Sequence, residues 1–249
     1  ALNAFSEVVQ QEPTEADAWA NVAAIHLRNK NAAEAYPALS ESLRYRRSNW
    51  RVWISQLHTC LDLKKYDEAV LACNTLLDFN INDVPELEER CIRGIVGGSL
   101  QQYSDAQGDG VALDSARRTL TRVNDLLNRL SSSTQTKPWV FEMLAYFSER
   151  IGRDKQVLEN LMKEYRALQE VEGWEKDKKE VQKVITVICN IAAFHKDENT
   201  KDSLVKCRFL VRGAINKVKA AYFDPSKIPN DIKQLESLME EVNSMIKAL

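Results

Sequence analysis

Glycine and proline are scarce, at 8 and 6 of 249 residues, together about 6% and roughly half their usual share. That argues against collagen-like segments, proline-rich linkers and glycine-rich phosphate cradles, and makes long helices the default. Charge of one sign is also lacking: 34 basic against 36 acidic side chains leave −2, so no global field points to nucleic acid or an anionic membrane. The 5 cysteines, Cys60, Cys73, Cys91, Cys189 and Cys207, are odd in number and never in C-x-x-C spacing. They fit reduced thiols of a cytosolic or nuclear protein rather than a disulfide or zinc framework. The longest apolar stretch, Val184 to Phe194, is broken by Thr186 and Asn190 and falls short of the roughly 20 residues a membrane span needs. Ala1 to Pro13 does not read as a signal peptide. No strand signal stands out.

Catalytic signatures are missing as well. There is no G-x-x-x-x-G-K-[ST], H-E-x-x-H or G-x-S-x-G. Gly94-Ile95-Val96-Gly97-Gly98 has neither the strand nor the lysine of a phosphate loop and reads as flexibility at a helix end. His26, His58 and His195 lie far apart, and His26 takes a packing position, so they read as core or groove histidines. Nothing distinguishes Glu240 and Glu241 as an acid and base pair. No catalytic, cofactor or metal site is expected.

What is present is a repeat. Trp19 and Trp53 lie 34 residues apart, as do Ala1, Ala35 and Ala69, and Phe5, Leu39 and Cys73 recur at the same interval. Trp19 to Ala35 and Trp53 to Ala69 both span 16 residues, the offset of a tetratricopeptide repeat, in which an aromatic on the first helix packs over a small residue on the second. Two antiparallel helices close on one another only where a side chain is nearly absent, which is what Ala35 and Ala69 provide. A facing Trp removes about 150 to 250 Å² from water, roughly 4 to 6 kcal/mol before entropy. Thr14 with Asp17 reads as a capping box after Pro13, and Ser48 or Asn49 as the cap of the helix carrying Trp53.

The expected fold is therefore an all-α, right-handed α-solenoid of antiparallel helix pairs. Residues 1–83 hold a half repeat and two repeats, 84–228 degenerate pairs, and 229–249 a capping helix. Ala1 to Gln11 reads as the second half of a repeat, so the chain is expected to be the C-terminal part of a longer protein. Pro85 to Leu100 and Val111 to Leu130 read as helices around the turn-rich Ser104 to Gly110, with a polar break from Ser131 to Pro138. Trp139 and Tyr146 keep the seven-residue spacing of first-helix aromatics, and Ile151 to Asp154 forms the turn into a helix ending near Gln169. Glu175 to His195 and Lys201 to Tyr222 make a further pair, followed by the breakers Asp224-Pro225 and Ile228-Pro229. Ile232, Leu235, Leu238, Met239, Val242, Ile246 and Leu249 then line up as one stripe of the capping helix.

Two passages carry a more specific likeness. Ser48-Asn49-Trp50-Arg51-Val52-Trp53 with Lys65-Tyr66-Asp67-Glu68-Ala69-Val70 and Leu76-Leu77-Asp78, and downstream Gly173-Trp174-Glu175-Lys176-Asp177, resemble the C-terminal region of the tetratricopeptide repeat protein 27 family. The resemblance implies a non-enzymatic scaffold. It also implies a role in chaperone-assisted biogenesis of elongation-factor-like GTPases, including one of the U5 splicing particle, and in cell-wall or secretory upkeep in fungi. Departures from the general repeat are Ala23 and Leu57 for Gly, Gln56 for Leu, and His26 and Cys60 for Tyr.

The phase set by the two Trp residues nominates an inner wall on the first helices: Asp17, Asn21 and Arg28 from one repeat, Arg51, Ser55, His58 and Asp62 from the next. A groove amide such as Asn21 donates to and accepts from a peptide backbone. Co-chaperones that grip acidic tails need Lys and Asn where this chain has Ala20 and Ala24, so the expected ligand is a mostly apolar protein segment. Arg44, Arg46, Arg47 and Arg51, interleaved with Tyr45 and Trp50, form a basic patch that suits RNA or an acidic partner, but an inter-repeat turn with solvated charge is the favoured reading. Arg117, Arg118, Arg122 and Arg129 give a second basic side, diluted by Asp114 and Asp125. The expectation is a monomeric adaptor for protein partners, cytoplasmic and also nuclear, with no membrane or RNA role. A fixed subunit of a large complex and an RNA-binding scaffold are the alternatives.

Overall fold

A computed structural model describes residues 2–79, 88–132, 137–221 and 232–248. Among them are twelve α-helices and no strand, as the composition and periodicity anticipate. Internal contacts divide the chain into two compact units, Ala1–Arg129 and Leu130–Leu249.

The first unit contains α1 (Leu2–Gln11), α2 (Ala16–Arg28), α3 (Ala32–Tyr45), α4 (Trp50–Asp62), α5 (Tyr66–Asp78), α6 (Glu89–Asp105) and α7 (Gly110–Ser131), the last overrunning the division by two residues. Each helix from α1 to α5 packs on the next, and α6 lies against both α4 and α5. Val22, Ala23, Ala38, Leu39, Leu43 and Val52 form a buried cluster, with Trp19 and Trp53 packed on it half-buried. Ala35 and Ala69 are fully buried.

The pairs α2/α3 and α4/α5 turn in the same way. Lys30 and Lys64 both adopt φ 57°. The amide of Lys30 donates to Leu27 O and that of Asn31 to His26 O, both at 2.9 Å; Lys64 donates to Leu61 O at 3.1 Å and Lys65 to Cys60 O at 2.8 Å. This is a Schellman closure with a left-handed C′ residue. Because Asn31 and Lys65 already stand at the N-caps of α3 and α5, the turn is as short as the motif allows. The leading Trp of each repeat has a polar anchor too: Trp19 Nε1 donates to Pro13 O and Trp53 Nε1 to Arg47 O, each at 2.8 Å. The indole thereby ties its helix to the chain entering it.

Three local expectations are corrected. Thr14 and Asp17 do not form a capping box; α2 starts one residue later, with Glu15 at the N-cap accepting from the Asp17 amide at 3.3 Å. Asn49 stands at the N-cap of α4 but makes no side-chain capping bond. Gly94, Gly97 and Gly98 are not at a helix end but inside α6. A Cβ on Gly98 would lie 2.1 Å from Tyr66 Cζ, so this glycine makes room for the Tyr66 ring where α5 and α6 meet.

The second unit contains α8 (Pro138–Arg150), α9 (Asp154–Glu170), α10 (Lys178–Glu198), α11 (Lys201–Ala221) and α12 (Ile232–Ala248). Its core runs from Ala145, Val157 and Leu161 through Trp174 to Val184, Ile188, Ile191, Leu204, Val211 and Val242. Trp174, 2% exposed, follows Gly173 at φ 74°. It is the core residue supplied by the passage between α9 and α10. On α12, Ile232, Leu235, Leu238 and Val242 are buried against α10 and α11, with Lys196 reaching Glu241 at 2.6 Å and Lys219 reaching Glu236 at 2.5 Å.

The α8/α9 pair revises a register. Gly152 at φ 72° donates to Glu149 O at 3.1 Å and Arg153 to Ser148 O at 2.9 Å, the same closure as in the first unit. Eleven residues before the left-handed residue stand Trp19, Trp53 and Phe141; five after it stand Ala35, Ala69 and Val157. Phe141 and Ser148, not Trp139 and Tyr146, therefore take the first-helix positions, and Tyr146 is exposed. Of the remaining sequence features, Pro85, the core of the 131–138 break, Tyr222, Asp224-Pro225, Ile228-Pro229 and Leu249 lie outside the described residues.

Candidate functional site

The nominated wall lies on α2 and α4, and its members are placed unequally. Asn21 and Arg28 on α2, and Arg51 and Asp62 on α4, are exposed; Ser55 and His58 are half-buried. Asp17 is exposed but engaged, since Arg46 Nη1 lies 2.6 Å from both of its carboxylate oxygens, tying the end of α3 to the start of α2. Ser55 Oγ donates to Arg51 O at 3.1 Å within its own helix. The apolar and amide faces at Asn21, Ala24 and Arg28 are thus open to solvent, whereas Asp17 already has an internal partner.

The basic patches are largely committed inside the chain. Arg44 pairs with Glu41 and lies over Tyr45, Arg51 lies 4.8 Å from the Trp50 ring centroid, and Arg46 holds Asp17. On α7, Arg122 pairs with Asp67 at 3.2 Å and Arg129 with Asp78 and the Asn74 carbonyl, both on α5. Two arginines of α7, Arg122 and Arg129, therefore hold α5, while Arg117 and Arg118 turn to Asp114 on their own helix.

His58 does something the sequence did not suggest. Its ring, Glu88 just before α6 and Cys91 in the first turn of α6 place their ligand-type atoms within 4.8 Å of one another. Glu88 and Cys91 are three residues apart, on one face of a helix start, but His58 comes from another helix, so no spacing motif links the three. Glu88 also lies 3.3 Å from Arg90 in an exposed pair. All cysteines are free. Burial pushes the Cys60 thiol up to about 12 and Cys73 higher still, so neither is a nucleophile at neutral pH. Cys91 is raised by burial first and then by the Glu88 charge.

In the second unit Lys196 and Glu241 meet over a cleft that also touches Cys189, Gln234 and Leu238. His195 is buried with Nδ1 unpartnered, and burial holds its pKa below the usual imidazole value. Among the described residues no helix is long and apolar enough to cross a membrane.

No family model matches the chain. It is 26% identical over 205 residues to the tetratricopeptide repeat protein 27 homolog of Dictyostelium discoideum, covering 81% of this chain and 22% of that protein. It is 21% identical to the tetratricopeptide repeat-containing protein trd-1 of Caenorhabditis elegans, covering 98% and 34%. A stretch of 78 residues is 26% identical to the essential for maintenance of the cell wall protein 1 of Saccharomyces cerevisiae, covering 31% and 9%. The chain thus spans about a fifth to a third of the length of the first two relatives. Among solved structures, the Cut9-Hcn1 hetero-tetramer of the APC/C aligns at TM-score 0.36 and 13% identity, covering 98% of this chain and 44% of that one. The P58(IPK) TPR domain aligns at 0.33 and 13%, covering 99% and 93%.

Proposed function

With a tetratricopeptide-repeat protein consistent with the tetratricopeptide repeat protein 27 family as premise, we propose that this chain is a non-enzymatic, monomeric adaptor that holds a protein segment on the exposed faces of α2 and α4. The supporting observation is that α2/α3 and α4/α5 close through the same backbone turn, so that α2, with Asn21, Ala24 and Arg28, and α4, with Arg51, Ser55, His58 and Asp62, are the first helices of equivalent pairs. Such a surface recognises an extended or helical segment through a few anchors and backbone contacts. Ala20 and Ala24 supply no charge to grip an acidic tail, so the ligand is mainly apolar. The resemblance extends the reading to a chaperone-type cofactor acting in the cytoplasm and nucleus on an elongation-factor-like GTPase of the U5 splicing particle. Residues 1–83 would serve as the binding module and α12 as the cap of the second unit.

The test is affinity capture with the full chain, comparing the natural sequence with an Asn21→Ala, Arg28→Glu, Arg51→Glu variant whose helix content and melting are unchanged. Recovery of a translational-type GTPase with chaperones by the natural chain alone supports the adaptor. Equal recovery by both contradicts the wall assignment. Titration with an acidic C-terminal tail peptide is expected to give no micromolar binding. The RNA alternative predicts filter binding that weakens with salt; the internal pairing of Arg46, Arg122 and Arg129 speaks against it.

A further inference from the structure

We infer that His58, Glu88 and Cys91 form a three-ligand site for a zinc-class divalent cation, bridging α4 to the start of α6. The donors are an imidazole nitrogen, a carboxylate oxygen and a thiol sulfur, converging within 4.8 Å. Imidazole with thiolate selects zinc and its neighbours over the oxygen-seeking magnesium and calcium. Bonds of about 2.0 Å to nitrogen or oxygen and 2.3 Å to sulfur place tetrahedral ligands about 3.3 to 3.6 Å apart, so with all donors within 4.8 Å no edge has to shorten by more than about 1.5 Å to close the site. Glu88 supplies that movement: it is exposed, stands at the N-cap of α6, and its competing pair with Arg90 is a solvent-exposed contact of little worth.

The charges balance. One carboxylate, one thiolate and one neutral imidazole neutralise a dication, whose own charge offsets the burial and the neighbouring Glu88 carboxylate that otherwise keep the Cys91 thiol protonated. On binding, the Cys91 Sγ–H proton leaves to solvent and the sulfur lone pair goes to the metal, with no change of oxidation state. Three protein ligands leave a fourth position for water. Mechanically, the ion fastens α6 to α4, two helices already in contact, and it takes His58 out of the α4 face offered to a partner, leaving Arg51, Ser55 and Asp62 there.

The experiment titrates the full chain, stripped with chelator, with Co²⁺ and then Zn²⁺. One equivalent of cobalt is expected to give a thiolate-to-cobalt charge-transfer absorption with the d–d bands of a four-coordinate ion, which zinc then abolishes by displacement. Cys91→Ser removes the charge-transfer band, His58→Gln and Glu88→Gln each weaken binding about 100-fold or more, and Cys189→Ser changes nothing. Circular dichroism of each metal-free variant checks its fold. If Cys91→Ser does not fold, the half-buried His58 and exposed Glu88 variants decide. No charge-transfer band in excess cobalt, a band that survives Cys91→Ser, or one indifferent to both His58→Gln and Glu88→Gln would overturn the site.

Discussion

The pairs α2/α3 and α4/α5 of the first unit and the pair α8/α9 of the second close through the same backbone turn, yet α8/α9 has none of the three residues that mark it in the other two. Lys30, Lys64 and Gly152 are the left-handed residues; Trp19, Trp53 and Phe141 lead; Ala35, Ala69 and Val157 follow. The closure depends on backbone hydrogen bonds from C″ to C3 and from C′ to C2, which every residue carries. The side chains need only leave room. A repeat can therefore keep its geometry after losing its signature, and the indole anchor to Pro13 and Arg47 marks the pairs in which the signature survives.

Substitutions at matching positions of the two units should differ in cost. Trp53→Ala removes a half-buried indole and its bond to Arg47 O, and should lower the stability of the first unit by about 3 kcal/mol; Phe141→Ala, without that bond, should cost less. Urea denaturation followed by circular dichroism reads both, and equal costs would deny the anchor a role. Ala69→Leu should cost about 1 to 3 kcal/mol by overpacking a fully buried site, whereas Val157→Leu at the matching position adds a single methylene and should cost less. At the turn itself, Lys64→Gly relieves a left-handed Cβ and should stabilise by about 1 kcal/mol, while Gly152→Ala should destabilise by a similar amount; the same sign at both would refute the shared turn.

The smallest effect is one of pH. Burial lowers the His195 pKa in the folded chain, so the unfolded chain takes up a proton near its ordinary value of 6.5 while the folded chain resists. Stability of the second unit is then full above that pH and declines as pH falls below it. His195→Gln should flatten the decline between neutral pH and about pH 5. An unaltered slope in that variant would assign it to other groups.

How much was legible in the sequence follows from the same physics. Trp19, Trp53, Ala35 and Ala69 were readable because each recurs at a fixed interval and each has a steric reason to recur. The turns were not, since lysine at positive φ leaves no mark that glycine would have left. Aromatic spacing alone misplaced the α8 register by two residues: Trp139 and Tyr146 have the right separation, but the Gly152 closure selects Phe141 and Ser148. Gly98 beneath Tyr66, Arg129 on Asp78 and the meeting of His58 with Glu88 and Cys91 are all non-local, and no window along the chain contains them. The open faces of Asn21, Arg28, Arg51 and Asp62 were placed by the phase of the two Trp residues, while Asp17 turned out to be held by a residue of the neighbouring helix.

Site-specific photo-crosslinking distinguishes whether the first-helix faces of the first unit receive the protein partner. A photo-reactive side chain is placed either at Asn21 on α2 or at Leu71 on α5, which is 59% exposed and lies on a second helix. Position 21 is expected to capture the copurifying partner and position 71 is not; capture from position 71 with none from position 21 would contradict the assignment of the partner to the first helices.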